Sequence, residues 1–318
     1  MRVLVTGHRG YIGATMCAVL KQHGHYVVGI DCDPDHKSID DTIDAYYDHS
    51  FEQQQTMQVI EQHGIDNIFH FAASVSVPES VANPSKYYNN NTANTAKLLD
   101  MISQSQWKGN FVFSSTAAVY GDCTGKPSEW QKTLPINPYG ASKLLCENII
   151  HDVVAKSEFN VVIFRYFNVA GAHPDTGCHL DGSHVIPSMC RASTDNMPFV
   201  VYGKDYVTPD GTCVRDYVHV IDICRAHLHA VDYLTDHPGC HTFNLGSGNG
   251  FSVLQLVEAF NDTADLIYTF GIPRAGDPSW LVASNEKFVA TGFEYAYTDV
   301  HQMIKSTWHC FQQAKTGA

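Results

Sequence analysis

The chain has 318 residues, room for two domains at about 150 residues each. It carries 33 acidic against 20 basic side chains, a net charge of −13. An acidic chain with no Lys/Arg block is a poor match to a phosphate backbone, which excludes nucleic acid as a partner. Hydrophobic residues make up 44%, which argues for a packed core and against disorder. No apolar run reaches the roughly 18 residues that cross a bilayer, so no membrane partner is expected. The opening RVLVTG reads as a strand and not as a targeting segment. Ten cysteines without a Cys-x-x-Cys pair fit the thiols of a reducing cytoplasm. The histidines are scattered, with no His-Glu-x-x-His, so no metal is expected.

In chain order, Met1–Thr6 is predicted to form a buried strand, followed by a glycine-rich turn and a helix over about Ile12–His23. Tyr26–Ile30 is the second strand and ends at Asp31. A helix around Phe51–Gln62 leads to the strand Asn67–Phe71. The helix Thr92–Ser103, the strand Asn110–Ser114, the helix Ala141–Lys156 and the strand Val161–Tyr166 follow. Short Val/Ile/Phe runs alternating with helices imply βαβ units. The expected fold is α/β, a Rossmann-type doubly wound parallel sheet. Beyond Phe167 the segments read as shorter and richer in Gly, Pro, Asp and His, with helices at Val253–Phe260 and Val300–Gln312. The expected division is a dinucleotide-binding domain over 1–166 and a smaller substrate-binding lobe over 167–318 that closes over the sheet's carboxyl edge. A strand near 241–248 is expected to return to the first domain.

The first turn reads Gly7-His8-Arg9-Gly10-Tyr11-Ile12-Gly13, placed between a strand and a helix. That context is what gives a glycine triplet meaning. Gly7 permits a tight turn, Gly10 lets the backbone approach a pyrophosphate, and Gly13 allows helix and sheet to pack. The helix N-terminus then favours the phosphate charge. Asp31, at the end of the second strand, is placed to accept from a ribose diol and to repel a 2′-phosphate, so NAD is expected over NADP. Arg9 is the one feature that argues the other way.

Tyr139 and Lys143 are spaced i, i+4 and so share a helix face. A lysine one turn from a tyrosine, both near a cationic nicotinamide, stabilises the phenolate. Bringing a tyrosine from about 10 towards 7 takes about 4 kcal/mol of differential stabilisation. Such a group is a general base for an alcohol proton. Phe111–Thr116 ends a strand at the sheet's carboxyl edge, where ligands bind in open α/β folds. Thr116 is placed there to bridge a substrate hydroxyl and Tyr139; its bland role is to cap backbone.

GHRGYIG, SSTAAVYG and PYGASK together resemble the extended short-chain dehydrogenase/reductase family. RYFNVAGAHP, VYGKDYVTPDGTCVRDYVHV and FNLGSGNGFSV narrow the resemblance to its UDP-hexose 4-epimerase branch, from Met1 to about Trp308. The resemblance implies an isomerase that inverts C4 of UDP-glucose/UDP-galactose through a transient 4-keto sugar, with NAD as a resident cofactor. Other UDP-sugar 4-epimerisation and net NAD-dependent oxidoreduction are the neighbouring readings. It implies that Gly7, Gly10, Tyr11, Ile12, Gly13, Asp31, Asp48, Phe71, Ala72, Ala73, Asn91, Ser114, Tyr139, Lys143 and Phe167 hold the cofactor, Asp48 meeting the adenine. Thr116, Tyr139 and Lys143 become the catalytic set. Asn168, His184, Val200, Val201, Tyr202, Arg215, Arg274, Asp277 and Leu281, with Thr116, become the UDP-sugar contacts. Among these, Val200–Tyr202 pair with uracil through backbone groups, and Arg215 and Arg274 hold the diphosphate. Leu281 borders the sugar's 2-substituent. A homodimer through Thr92–Ser103 and Ala141–Lys156 is also implied.

Three positions depart from the branch. Val75 stands where some members have lysine, His184 where some have asparagine, and the turn reads G-H-R-G rather than G-G-x-G, which places His8-Arg9 beside the pyrophosphate. A sugar-nucleotide dehydratase needs a carboxylate just after the threonine. Here Ala117 and Ala118 follow, and neither moves a proton.

Overall fold

The computed structural model describes residues 1–33, 37–178, 184–274 and 277–316. Strand β1 (Arg2–Thr6) is buried on both faces after its first residue, the burial expected of a parallel strand covered by helices on each side. Helix α1 (Tyr11–Gln22) leads to β2 (Tyr26–Asp31). The short strand β3 (Ala45–Asp48) was not legible, because AYYD is four residues of alternating burial at a sheet edge rather than an apolar run. Its register pairs Asp48 with Asp31. Helix α2 (Gln55–His63) precedes β4 (Asn67–His70).

Two short helices, α3 (Val77–Ala82) and α4 (Pro84–Tyr87), and a π-turn over Tyr88–Ala93 lead into α5 (Asn94–Gln104), so the helical run begins before Thr92. Strand β5 (Asn110–Thr116) runs two residues further than expected. Helix α6 (Pro138–Val154) starts three residues earlier than expected. Asn137 caps it by accepting from the Gly140 N–H at 2.8 Å, and Pro138 occupies the first helical position. Tyr139 therefore lies in the first helical turn. Strand β6 (Asn160–Tyr166) follows.

The main sheet has seven strands. β10 (Cys240–Leu245) lies beside β6, followed by β5, β4, β1, β2 and β3. This places the HTFNL segment as a returning edge strand. β1, β2, β3, β4, β5 and β6 all pair in parallel. The doubly wound α/β expectation is met. The core beneath this sheet includes Leu4, Ile68, Leu99, Phe111, Ile150 and Ile163.

The chain divides into two compact units. The first comprises Met1–Gly121, Gln131–Tyr166 and Cys224–Phe243; the second comprises Asp122–Trp130, Phe167–Ile223 and Asn244–Ala318. The division is thus not a single cut after Tyr166. The later half is also more regular than its composition implied. It contains α7 (Val185–Thr194), α8 (Val220–Asp236), α9 (Val253–Asn261), the one-turn α10 (Glu286–Val289) and α11 (Val300–Thr316). In the second unit, β9 (Val214–His219) pairs antiparallel with β11 (Gly250–Ser252) and parallel with β7 (Asn168–Ala170) and β13 (Trp280–Leu281). β8 (Phe199–Tyr202) pairs with β12 (Tyr268–Gly271). Ile186, Met189, Val201, Phe260, Met303 and Ile304 form this unit's own core.

One ion pair ties the first unit together. Arg165 on β6 donates through Nε and Nη2 to Glu147 on α6, at 3.1 and 2.7 Å, with both side chains buried. Ser115 on β5 donates to the same carboxylate. Glu147→Ala leaves the Arg165 charge buried without a counter-charge, which costs about 3–5 kcal/mol. A clear fall in melting temperature is expected, with a smaller fall for Glu147→Met/Arg165→Met. An unchanged melting temperature in Glu147→Ala would contradict this role.

Candidate active site

The glycine turn is fixed by contact distances. Gly7 has φ +73°, and a Cβ on it would lie 2.7 Å from the backbone nitrogen of Ala72. A Cβ on Gly13 would lie 2.0 Å from the Gly7 carbonyl oxygen. Only glycines allow the exits of β1 and β4 and the start of α1 to meet this closely. Gly10 is the N-cap of α1 and offers no side chain to the first turn, which also holds no acidic residue. Tyr11, Ile12 and Gly13 open the helix behind it. An N-terminus with no side-chain cap and glycine in front suits an anion, so the donor set fits a pyrophosphate.

Asp31 is oriented by two backbone donors. Arg9 N–H reaches Oδ2 at 3.0 Å and Asp33 N–H reaches Oδ1 at 3.0 Å. A carboxylate has about four acceptor positions, so it retains capacity for a diol. The His8 and Arg9 side chains, expected beside a pyrophosphate, take partners within the chain. Both turn inward onto Asp40, a residue the sequence reading passed over. The attraction of a buried carboxylate outweighs exposure of a long cationic chain. Asp48 receives the Arg9 guanidinium as well, through Nη2.

The carboxyl end of β5 meets Tyr139 and Lys143, two of the expected catalytic residues. Lys143 is buried and donates from Nζ to the Ser114 carbonyl at 2.8 Å, with its ammonium 4.8 Å from the centre of the Phe113 ring. Burial lowers its pKa to about 8, opposed by Cys146 and Glu147. Tyr139, one turn earlier, is half-buried; burial raises its phenol, and a hydrogen bond with Thr116 lowers it. Thr116 Oγ1 also accepts from the Ala118 N–H at 3.1 Å. The threonine thus caps backbone and touches the tyrosine at once. The Ser114 hydroxyl pairs with Tyr166 at 3.0 Å, and Tyr166 with His227 Nε2 at 2.9 Å.

Asn91 sits in the π-turn and is occupied internally. Its Oδ1 accepts from Ser74 N–H at 2.8 Å, and its Nδ2 donates to Ser74 O and Ser142 Oγ at 2.9 and 3.1 Å. It pins the loop after β4 to α6. Phe71, Ala72 and Ala73 form the start of that loop, with Phe71 N–H on the Thr6 carbonyl at 3.1 Å. Val75, further along, is exposed.

In the second unit, Phe167 is buried and donates its N–H to the Leu245 carbonyl at 3.0 Å. Asn168 donates to the Asp216 carbonyl at 3.0 Å. Arg215 and Leu281 are register partners across β9 and β13, and Arg215 lies 3.7 Å from the Asp277 carboxylate. The Arg274 guanidinium stacks 4.0 Å over the Tyr202 ring. Val200, Val201 and Tyr202 all lie on β8. His184 is the N-cap residue of α7, at the surface. The structure therefore groups Arg215 with Asp277 and Leu281, and Tyr202 with Arg274. Asp216 was missed: its buried carboxylate accepts from Ser247, Gly248 and Ala283 backbone N–H groups and fixes the GSG loop.

Residues 3–246 match the model of the NAD dependent epimerase/dehydratase family. The chain belongs to this family. It is similar to the UDP-glucose 4-epimerase of Lacticaseibacillus casei, 38% identical, with 100% of this chain and 98% of that protein covered. The UDP-glucose 4-epimerase of Corynebacterium glutamicum is 37% identical over 97% of this chain and 95% of that protein. Among solved structures it is similar to UDP-glucose-4-epimerase from Stenotrophomonas maltophila with bound NAD and formylated UDP-arabinopyranose. That match has TM-score 0.94, 32% identity and full coverage of both chains. UDP-glucose 4-epimerase from Bifidobacterium longum in complex with NAD+ and UDP gives TM-score 0.89 at 32% identity, again with full coverage of both chains.

Within this epimerase/dehydratase member, Glu147 and Arg165 had a legible signal. Glu147 is i+4 from Lys143 on the same helix face, and both charges sit in otherwise apolar segments. Lys143 carries its charge below about pH 8 and loses it above that value. Turnover is therefore expected to decline as pH rises through that range, with the decline moved to lower pH in Glu147→Gln, whose charge no longer supports the ammonium. A pH–rate profile still rising well above that value would remove Lys143 from its place.

Proposed function

We propose that this chain epimerises C4 of a UDP-hexose, interconverting UDP-glucose and UDP-galactose with NAD as a resident cofactor. The observation that carries this reading is the joined set Thr116–Tyr139–Lys143, followed by Ala117 and Ala118 where a dehydratase needs a carboxylate. Full-length similarity to UDP-glucose 4-epimerases supports it.

Gly7, Gly10, Tyr11, Ile12 and Gly13 would hold the pyrophosphate, and Asp31 the adenosine ribose. Phe71, Ala72, Ala73, Ser114 and Phe167 would line the rest of the cofactor, with Asn91 keeping the β4 loop in place. Bound NAD supplies reversible hydride acceptance at C4 and, when oxidised, a positive charge, so there is no net redox change. Tyr139 as phenolate takes the proton of the 4-hydroxyl and later returns it. Thr116 steadies the phenolate through its hydroxyl. Lys143 keeps a positive charge one helix turn away, fixed on the Ser114 carbonyl.

The keto sugar must turn while its diphosphate stays fixed. Arg215 and Arg274 suit that task, because guanidinium forks match phosphate oxygens. Asn168 and His184 are proposed to hold diphosphate and sugar, and Asp277 the uridine ribose. β8 pairs with β12 alone among the described strands, which leaves backbone groups of Val200–Tyr202 for uracil. Leu281 is proposed to border the sugar's 2-substituent. We also propose a homodimer through α5 and α6, where Leu145 is an exposed apolar side chain. No helix of the described residues is long and apolar enough to cross a membrane. None of the ten cysteines is in a disulfide, which supports a cytoplasmic setting.

The test is UDP-galactose with purified protein and no added NAD. UDP-glucose should form without accumulation of reduced cofactor; a 4-keto-6-deoxy product, net reduction of NAD or no reaction would overturn the proposal. Tyr139→Phe should lower turnover by about 10²- to 10⁴-fold with nucleotide-sugar affinity little changed. Leucine is intermediate in bulk, so the N-acetylated sugar pair should turn over more slowly than the plain pair. Leu281→Tyr should depress the N-acetyl activity more than the plain activity. Equal losses would take Leu281 out of the sugar pocket.

A further inference from the structure

Arg9 directly precedes Gly10, the N-cap of α1, and its backbone N–H is bonded to Asp31. An arginine anchored there has a stem long enough to reach the ribose that Asp31 is proposed to hold. Guanidinium is also the group best matched to a 2′-phosphate. Read from sequence, this position argues for NADP. In the structure the side chain is withdrawn. Arg9 is 4% exposed, with Nε 3.1 Å from Asp40 Oδ1 and Nη2 2.6 Å from Asp40 Oδ2. Nη1 donates to the Asp33 carbonyl at 2.8 Å, and Nη2 also reaches Asp48.

Asp40 is itself 4% exposed and is held from its other side by His8 Nε2 at 2.7 Å. The His8 ring is fully buried and fills the space above Gly29, where a Cβ would lie 2.5 Å from ring atoms. Among the described residues its Nδ1 has no partner, so Asp40 is what holds the ring by a polar bond. The three residues form one inward-facing lock. The two anchors of Arg9 are not equivalent. The Asp48 side chain is 51% exposed, whereas that of Asp40 is 3% exposed. Asp48 can therefore keep pairing with an arginine that has swung outward, but Asp40 cannot. Without Asp40, a buried guanidinium loses the compensation that burial demands and moves towards solvent.

We propose that Asp40 is a specificity-determining residue for the cofactor: it keeps Arg9 folded inward, so that Asp31 alone meets the ribose and NAD is selected over NADP. The proposal rests on the reading that the Gly7–Gly13 turn holds a dinucleotide. Asp40 touches neither cofactor nor substrate and acts through Arg9, as a positioning residue.

The test is the nucleotide released when purified protein is denatured, measured as the NADP(H) share relative to NAD(H). Asp40→Ala should raise that share about tenfold or more, the effect of one released charge-assisted hydrogen bond. Asp40→Asn, which keeps the shape but drops the charge, should raise it less and decides the matter if Asp40→Ala does not fold. Asp40→Ala/Arg9→Gln, or Asp40→Asn/Arg9→Gln, should return the share to that of the unmodified protein. A folded Asp40 variant with an unchanged share would overturn the proposal, as would a double variant that keeps the gain. Release of mainly NADP(H) from the unmodified protein would instead sink the reading of Asp31 on which the proposal rests.

Discussion

The docking of α6 against the carboxyl end of β5 is the constraint on which the placement of Thr116, Tyr139 and Lys143 depends. Three consecutive strand residues carry it. Ser114 offers its carbonyl to Lys143, Ser115 its hydroxyl to Glu147, and Thr116 its hydroxyl to Tyr139. Tyr139, Lys143 and Glu147 are spaced by four on one helix, so each turn of α6 meets the next step of the strand. Arg165 on the neighbouring strand locks the third contact. The Ser114 hydroxyl points away from that of Ser115, to Tyr166, as alternation between successive strand residues requires. A shift of either element would break all three contacts together.

The electrostatics of that site are opposed by design of the core. Burial lowers Lys143 and raises Tyr139, and both shifts oppose the charged pair that proton transfer needs. Glu147 and the Thr116 hydrogen bond each work against the effect of burial. The protein alone therefore favours the protonated phenol, and the proposed role as base needs a further positive charge in the same low-dielectric region. Along the same carboxyl edge, beside β2 and β3, the balance is reversed. There Asp40 and Asp48 absorb the Arg9 charge, and Asp31 is left as the anionic group with spare acceptor capacity.

Much of this was legible in the chain. Apolar runs gave β1, β2, β4, β5 and β6, because strands buried on both faces leave a continuous hydrophobic signal. The glycine turn and the Tyr139–Lys143 spacing were legible because their neighbours, a strand before and a helix after, were too. β3 was not, since an edge strand with half its residues exposed leaves no such run. α8 was hidden by the aspartates, arginine and histidines that interrupt its apolar pattern. The inward turn of His8 and Arg9 was out of reach for a different reason. It depends on Asp40, some thirty residues away in sequence, meeting the glycine turn in space.

Tyr139 is proposed to be the group made basic by its surroundings once the cofactor is bound. The most direct measurement is ultraviolet titration of tyrosinate in the cofactor-loaded protein, beside Tyr139→Phe. One tyrosine should ionise well below the ordinary value of about 10, and that ionisation should vanish in Tyr139→Phe. Its midpoint should rise in Thr116→Val, which removes the hydrogen bond that favours the phenolate. No low-pH tyrosinate, or one that persists in Tyr139→Phe, would contradict the assignment of the base.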